Sequence, residues 1–89
     1  MEFRAEIRIL PRPELLDPQG KAVEGALHGL GFHAVRAVHV GRLLVVEFAA
    51  PSFEAARAEV DAMCRQLLAN PVIENYVVVL EPLAQPVEG

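Results

Sequence analysis

The sequence predicts an α+β two-layer sandwich of order β-α-β-β-α-β, with a mostly antiparallel sheet and two helices on one face. Three observations carry that expectation. Phe3, Ala5, Ile7 and Ile9 alternate with Arg4, Glu6 and Arg8 at strict period two, which describes a strand with one buried face. Two helical segments follow, each opened by a residue suited to cap it. Between and after them lie β-rich runs dominated by Val and Leu.

Taken in order, the first strand ends at Pro11 and Pro13, which remove ladder donors. Asp17 is placed to cap the first helix, and Pro18 stands at its first position, where a missing N–H costs nothing. Val23, Ala26, Leu27 and Leu30 recur at helical spacing until Gly31 stops the run. Gly25 and Gly29 lower the helix propensity, so packing has to hold this helix in place. Next, Val35–Val40 and Leu43–Phe48 flank Gly41-Arg42. They are read either as a hairpin turning at Gly41 or as one long strand bent there.

Ser52 caps a second helix over Phe53–Ala69, about 25 Å long at 1.5 Å per residue. Phe53, Ala56, Val60, Met63, Cys64 and Leu67 form its apolar stripe, with Arg57–Asp61 and Asp61–Arg65 pairs opposite. Asn70, which tolerates a left-handed backbone, and Pro71 end the helix, and Ile73–Leu80 forms the last strand. The expected organisation is one domain over residues 1–81 and a loose tail over 82–89.

A chain of 89 residues buries only about 60–65 % of its unfolded surface, so a partner that adds buried area is valuable. The hydrophobic content of 53 % with only 6 % aromatics points to an aliphatic core. Twelve acidic against eight basic residues give a net charge of −4, which argues against nucleic-acid and acidic-membrane binding. A single cysteine, no apolar signal core and no run near the ~20 residues of a membrane span lead to the expectation of a soluble, cytoplasmic chain.

The second sheet face departs from simple alternation. With Leu44, Val46 and Phe48 turned to the helices, Leu43 and Val45 point the other way, and the last strand is apolar on both faces. Each large side chain is worth roughly 1.5–3 kcal/mol when buried, so the expected cover is a second copy of the chain.

No catalytic constellation emerges. Cys64 lies mid-helix among apolar residues, away from any helix N-terminus that would activate a thiol. His28, His33 and His39 match no zinc spacing, and the acidic residues show no paired-carboxylate pattern. The Asp17-Pro18-Gln19-Gly20 turn could receive an anion, but Asp17 brings its own charge, which favours capping. No catalytic, cofactor or metal residues are therefore expected.

The segments Leu16–Val23, Leu30-Gly31-Phe32, Val38–Arg42 and Met63–Tyr76 together resemble the PurS family, the small S subunits of phosphoribosylformylglycinamidine synthase. The resemblance spans nearly the whole chain, and its departures are the Arg12–Leu15 approach to Asp17 and the extended tail. It implies an assembly subunit in de novo purine synthesis, without chemistry of its own. The partners it implies are a large synthetase subunit and a glutaminase subunit, with ATP, Mg and glutamine used by those subunits, beside the second copy that the apolar sheet face calls for. The polar groups on short connections left for partner contact are Asp17, Gln19, Gly20, Arg42, Arg65, Asn70 and Glu74. The competing reading is a homodimeric regulatory domain that binds a small molecule.

Overall fold

The structure is a computed structural model and describes residues 1–83. Strand β1 (Glu2–Pro11) is central, flanked by β2 (Arg42–Ala49) and β3 (Glu74–Pro82) in the order β2-β1-β3, with both pairings antiparallel. Helix α1 (Pro18–Gly29) precedes β2, and α2 (Phe53–Met63) precedes β3. The α+β class, the antiparallel sheet and the two helices are those the sequence predicts.

The alternation along β1 sets the core. Phe3, Ala5, Ile7 and Ile9 are fully buried, while Arg4, Glu6 and Arg8 take the opposite face. Val60 and Cys64 close over Ala5, Ile7 and Ile9, and Ala56 and Ala50 pack with Phe3. Leu44, Val46, Phe48, Tyr76, Val78 and Leu80 turn inward beside them. Every side chain in the two buried clusters comes from the strands, α2 and its continuation, or the residues bordering them.

The first correction follows from that list. Among the described residues of α1, only Gly20 is buried; Val23 and the C-cap Leu30 remain exposed. Among the described residues, α2 and its continuation cover the sheet, and α1 does not join them on that face. The molecule measures 51 × 35 × 16 Å, and its 17.4 Å radius of gyration exceeds the about 12 Å of a compact chain this long.

The segment expected as a strand over Val35–Val40 has no ladder partner among the described residues, so the described sheet has three strands. No turn or bend interrupts residues 35–41, and Gly41 lacks the positive φ a tight hairpin there would use. The chain runs straight through Gly41 into β2. At about 3.3 Å per residue, Val35–Ala49 spans roughly 50 Å.

The caps follow the sequence closely. Asp17 Oδ1 accepts from the Gly20 N–H at 3.0 Å, and Ser52 Oγ accepts from the Ala55 N–H at 3.1 Å. Gly31, at φ 100°, closes α1 with the Gly31 N–H on the His28 carbonyl and the Phe32 N–H on that of Leu27. This is a Schellman motif, and the left-handed residue it needs is the predicted glycine.

The end of α2 differs. Cys64–Leu68 forms a π turn, closed by the Ala69 N–H on the Cys64 carbonyl at 3.0 Å. The wider turn rotates each following residue backwards. Leu68 and Ala69 therefore meet the core, and Leu67, expected in the buried stripe, is 82 % exposed. Asn70 does not adopt a left-handed backbone either; extended Ala69 breaks the helix first. Of the two expected ion pairs on α2, only Asp61–Arg65 forms among the described residues, at 4.0 Å. Pro82, expected in the tail, lies in β3, and the Leu83 N–H reaches the Glu2 carbonyl. The rest of the expected tail, 84–89, lies outside the described residues.

Cys64 is fully buried, and desolvation pushes its thiol above the ordinary range, with the charge of Asp61 adding to the effect. We expect native protein to resist thiol-specific labelling until it unfolds, and Cys64→Ala to lose about 1–2 kcal/mol of stability. Rapid labelling under native conditions would contradict this packing.

Candidate functional site: two clamps meeting at Gly41

The candidate partner residues fall into two groups on either side of Gly41. In the first, Glu74 opens β3 and turns its carboxylate back over the preceding loop. Its Oε1 accepts from the Asn70 N–H at 2.8 Å, and Arg42 Nη2 donates to both oxygens at 2.8 and 3.0 Å. The backbone N–H of Asn70, and after it Arg42, holds the Glu74 carboxyl below its ordinary value. Asn70 Oδ1 accepts from the Val72 N–H, an Asx turn that shapes Asn70–Glu74.

Arg12 completes this corner, and the sequence reading passed over it. Its Nη2 donates to the Pro71 carbonyl at 2.6 Å, and its backbone N–H donates to the Ile73 carbonyl at 2.9 Å. The available signal was local: Arg12 stands between two prolines that end β1, where its side chain has to find another partner.

The second group joins α1 to the straight segment. Asp17 uses both oxygens, Oδ1 on the Gly20 N–H and Oδ2 on the Val40 N–H at 2.9 Å. Those two backbone bonds hold its carboxyl below the usual value, the Gly20 bond contributing most. His39 Nδ1 lies 4.0 Å from Oδ2. At the far end of α1, His28 Nε2 donates to the Val35 carbonyl at 2.7 Å. Gly20 lets the two elements approach, since a Cβ there would overlap the Val38 carbonyl oxygen.

The clamps meet at Val40-Gly41-Arg42. The structure thus brings Asp17 and Gly20 together, and Arg42, Asn70 and Glu74 together. Gln19 and Arg65 stand exposed and outside both, Arg65 near only Asp61. Leu67 and Val72 are exposed as well and add apolar surface that the sequence reading assigned to the core or left aside.

These groups are structural in chemistry. No set of three His, Cys, Asp or Glu side chains among the described residues could hold a metal ion. The hollow lined by Leu15, Leu16, Asp17, Lys21 and His39 holds about 150 Å³, below the ~300 Å³ of a typical ligand site. No helix of the described residues is long and apolar enough to cross a membrane.

The outward sheet face is partly apolar. Leu43 and Val77, both 60 % exposed, flank Arg8, and Val45 and Val79 flank Glu6. The central stripe neutralises itself: Arg8–Glu6 at 2.9 Å, Arg4–Glu6 at 3.6 Å and Arg4–Glu81 at 3.5 Å.

Comparison with known proteins agrees with this geometry. The PurS family pattern, described as phosphoribosylformylglycinamidine (FGAM) synthase, matches residues 4–82. A phosphoribosylformylglycinamidine synthase subunit PurS from Synechocystis sp. is 42 % identical over 74 residues, 83 % of this chain and 74 % of that protein. PurS from Thermus thermophilus superposes with a TM-score of 0.81 at 41 % identity, covering 94 % of this chain and all of that one (100 %). A chain of the PurLQS structure from Thermotoga maritima gives 0.83 at 30 % identity, covering 91 % and 99 %. A family match over residues 4–82, with relatives of up to 42 % identity across most of their length, means that the chain belongs to the PurS family of FGAM synthase.

Proposed function

We propose that this chain is the small, non-catalytic subunit of a cytoplasmic FGAM synthase, linking a large synthetase subunit to a glutaminase subunit and associating with itself. ATP, Mg and glutamine belong to the chemistry of those partner subunits. The observation that carries this reading is the combination of PurS membership over residues 4–82 with polar groups spent on clamps rather than on a reactive centre. The Thermotoga maritima structure, named for PurL, PurQ and PurS together, supports hetero-partners of this kind.

Within the partner-contact set, the clamps separate roles. Asp17, Gly20, Arg42, Asn70 and Glu74 hold the two loops in shape, while Gln19 and Arg65 are free to meet another surface. Leu67, two residues on from Arg65, joins them as a large apolar side chain left open to solvent. The expected result for Arg65→Glu with Leu67→Asp is an intact fold and a selective loss. Glutamine-dependent synthesis in the reconstituted complex falls about tenfold or more, and synthesis from free ammonia falls less. Equal activities in variant and wild type would place the contact elsewhere. Tight binding of a purine or an amino acid by the isolated chain would favour a regulatory domain instead.

Self-association uses the outward sheet face, where Leu43, Val45, Val77 and Val79 stand open. Val45→Lys and Val77→Glu test it, because each new charge lies across β1 from an opposite one, Glu6 or Arg8, and spares the fold. Light scattering at micromolar concentration should then report fewer copies per particle than in wild type. An unchanged particle mass would remove this face from the assembly.

A further inference from the structure

We propose that the outer edge of β3 pairs with the same edge of a second copy of this chain, antiparallel about a twofold axis at Val78. The inference rests on the reading that the chain associates with itself, but it uses the β3 edge and not the outward face, so the two contacts can fail separately.

The hydrogen bonds that flank β3 show which backbone groups lie on that edge. The Leu83 N–H donates to the Glu2 carbonyl at 2.8 Å, and the Arg12 N–H donates to the Ile73 carbonyl at 2.9 Å. Odd-numbered positions along this strand therefore turn their backbone groups to β1, and even-numbered positions turn theirs to the open side. Among the described residues β3 pairs with β1 alone, so Glu74, Tyr76, Val78, Leu80 and Pro82 meet no strand on that side. The two ends have no donor to give: the Glu74 N–H is taken by the Asn70 carbonyl at 2.8 Å, and Pro82 has none. Tyr76, Val78 and Leu80 each keep an open donor and an open acceptor.

That set is symmetric about Val78, and the symmetry selects the occupant. Antiparallel pairing with Val78 opposite its own copy sets Tyr76 opposite Leu80, and each opposed pair exchanges both hydrogen bonds. Every open donor and acceptor on the three residues is then used. Centring on Val77 or Val79 instead sets Leu80 opposite Glu74 or Tyr76 opposite Pro82, which leaves a carbonyl without a donor.

The side chains agree with the same register. Val77 and Val79, 60 % and 44 % exposed on the outward face, meet across the axis. Asn75 meets Glu81, so no like charges are opposed. Asn75 to Leu80 also carries no charge, no proline and no bulge, the devices that keep an edge strand single. The axis stands perpendicular to the sheet, which keeps α2 of both copies on one side and joins their outward faces into one wider apolar surface.

The test is Val78→Pro. The N–H it removes faces away from β1, so the ladder inside the chain keeps its bonds, and an edge strand accepts proline at such a position. Self-association measured by sedimentation is expected to weaken about tenfold or more, with circular dichroism unchanged. In wild type, hydrogen exchange at residues 76, 78 and 80 is expected to slow about a hundredfold from dilute to associating concentration. An associated wild type whose three amides exchange freely, or a Val78→Pro protein that associates as wild type does, overturns the edge pairing and leaves self-association standing. Protection already present in the monomer, or gained only when a synthetase or glutaminase subunit is added, gives the edge to a different strand and overturns the pairing too. A wild type that stays monomeric at every concentration overturns both readings. If Val78→Pro misfolds, the wild-type exchange measurement decides alone.

Discussion

Phe3→Ala is expected to destabilise the fold by about 3–5 kcal/mol, the cost of emptying a fully buried aromatic site. The whole stability of a domain this size is roughly 4–13 kcal/mol, so the variant should be partly unfolded at moderate temperature. The site explains the size of the effect. Phe3 is completely buried and packs against Phe48 of β2 at a tilt and Phe53 of α2 edge-on, each with ring centroids 6.1 Å away. One side chain therefore ties the central strand to an edge strand and to the start of the covering helix, and the other buried members of its cluster, Ala50 and Ala56, are small. Phe3→Leu keeps most of that volume and should cost much less. Denaturant titration of the two variants gives the comparison. A loss below about 1.5 kcal/mol for the alanine variant would mean the neighbouring rings collapse inward, contrary to the packing described.

Gly41→Ala is the second large effect, and its cause is backbone rather than core. A Cβ at position 41 would overlap the Ile9 carbonyl oxygen, and backbone cannot swing aside as a side chain tip can. Either the pairing of Ile9 with Arg42 opens or the straight segment tilts away from its place. The expected loss is about 1–3 kcal/mol. Gly25→Ala is the control. That glycine lies in α1 with open space around it, so alanine should stabilise by roughly 0.5–1 kcal/mol through helix propensity. If Gly41→Ala and Gly25→Ala behaved alike, close approach at Gly41 would not be what selects glycine there.

The sequence by itself determined every feature that depends on local stereochemistry or simple period. Period two in Phe3–Ile9 placed β1 and its buried face, because a strand has only two sides. Asp17 with Pro18, Ser52, and Gly31 placed three helix boundaries, since capping is decided within a turn of the helix. The segments around Asp17 and Asn70–Glu74 also carried the family resemblance. Tertiary structure decided what local pattern leaves undetermined. Val35–Val40 has strand composition, but a ladder requires a partner, and the described residues of this chain supply none. The apolar stripe of α1 does not state which surface it will cover. Leu67 fits the helical stripe on paper, and only the π turn at Cys64–Leu68, where Leu68 and Ala69 pack under the sheet, turns it to solvent. Arg42 and Glu74 looked free because 32 residues separate them; the fold sets them 2.8 Å apart and gives them a structural task. Periodicity reports which face of an element is apolar, and only the assembled chain, or its partner, decides what lies against that face.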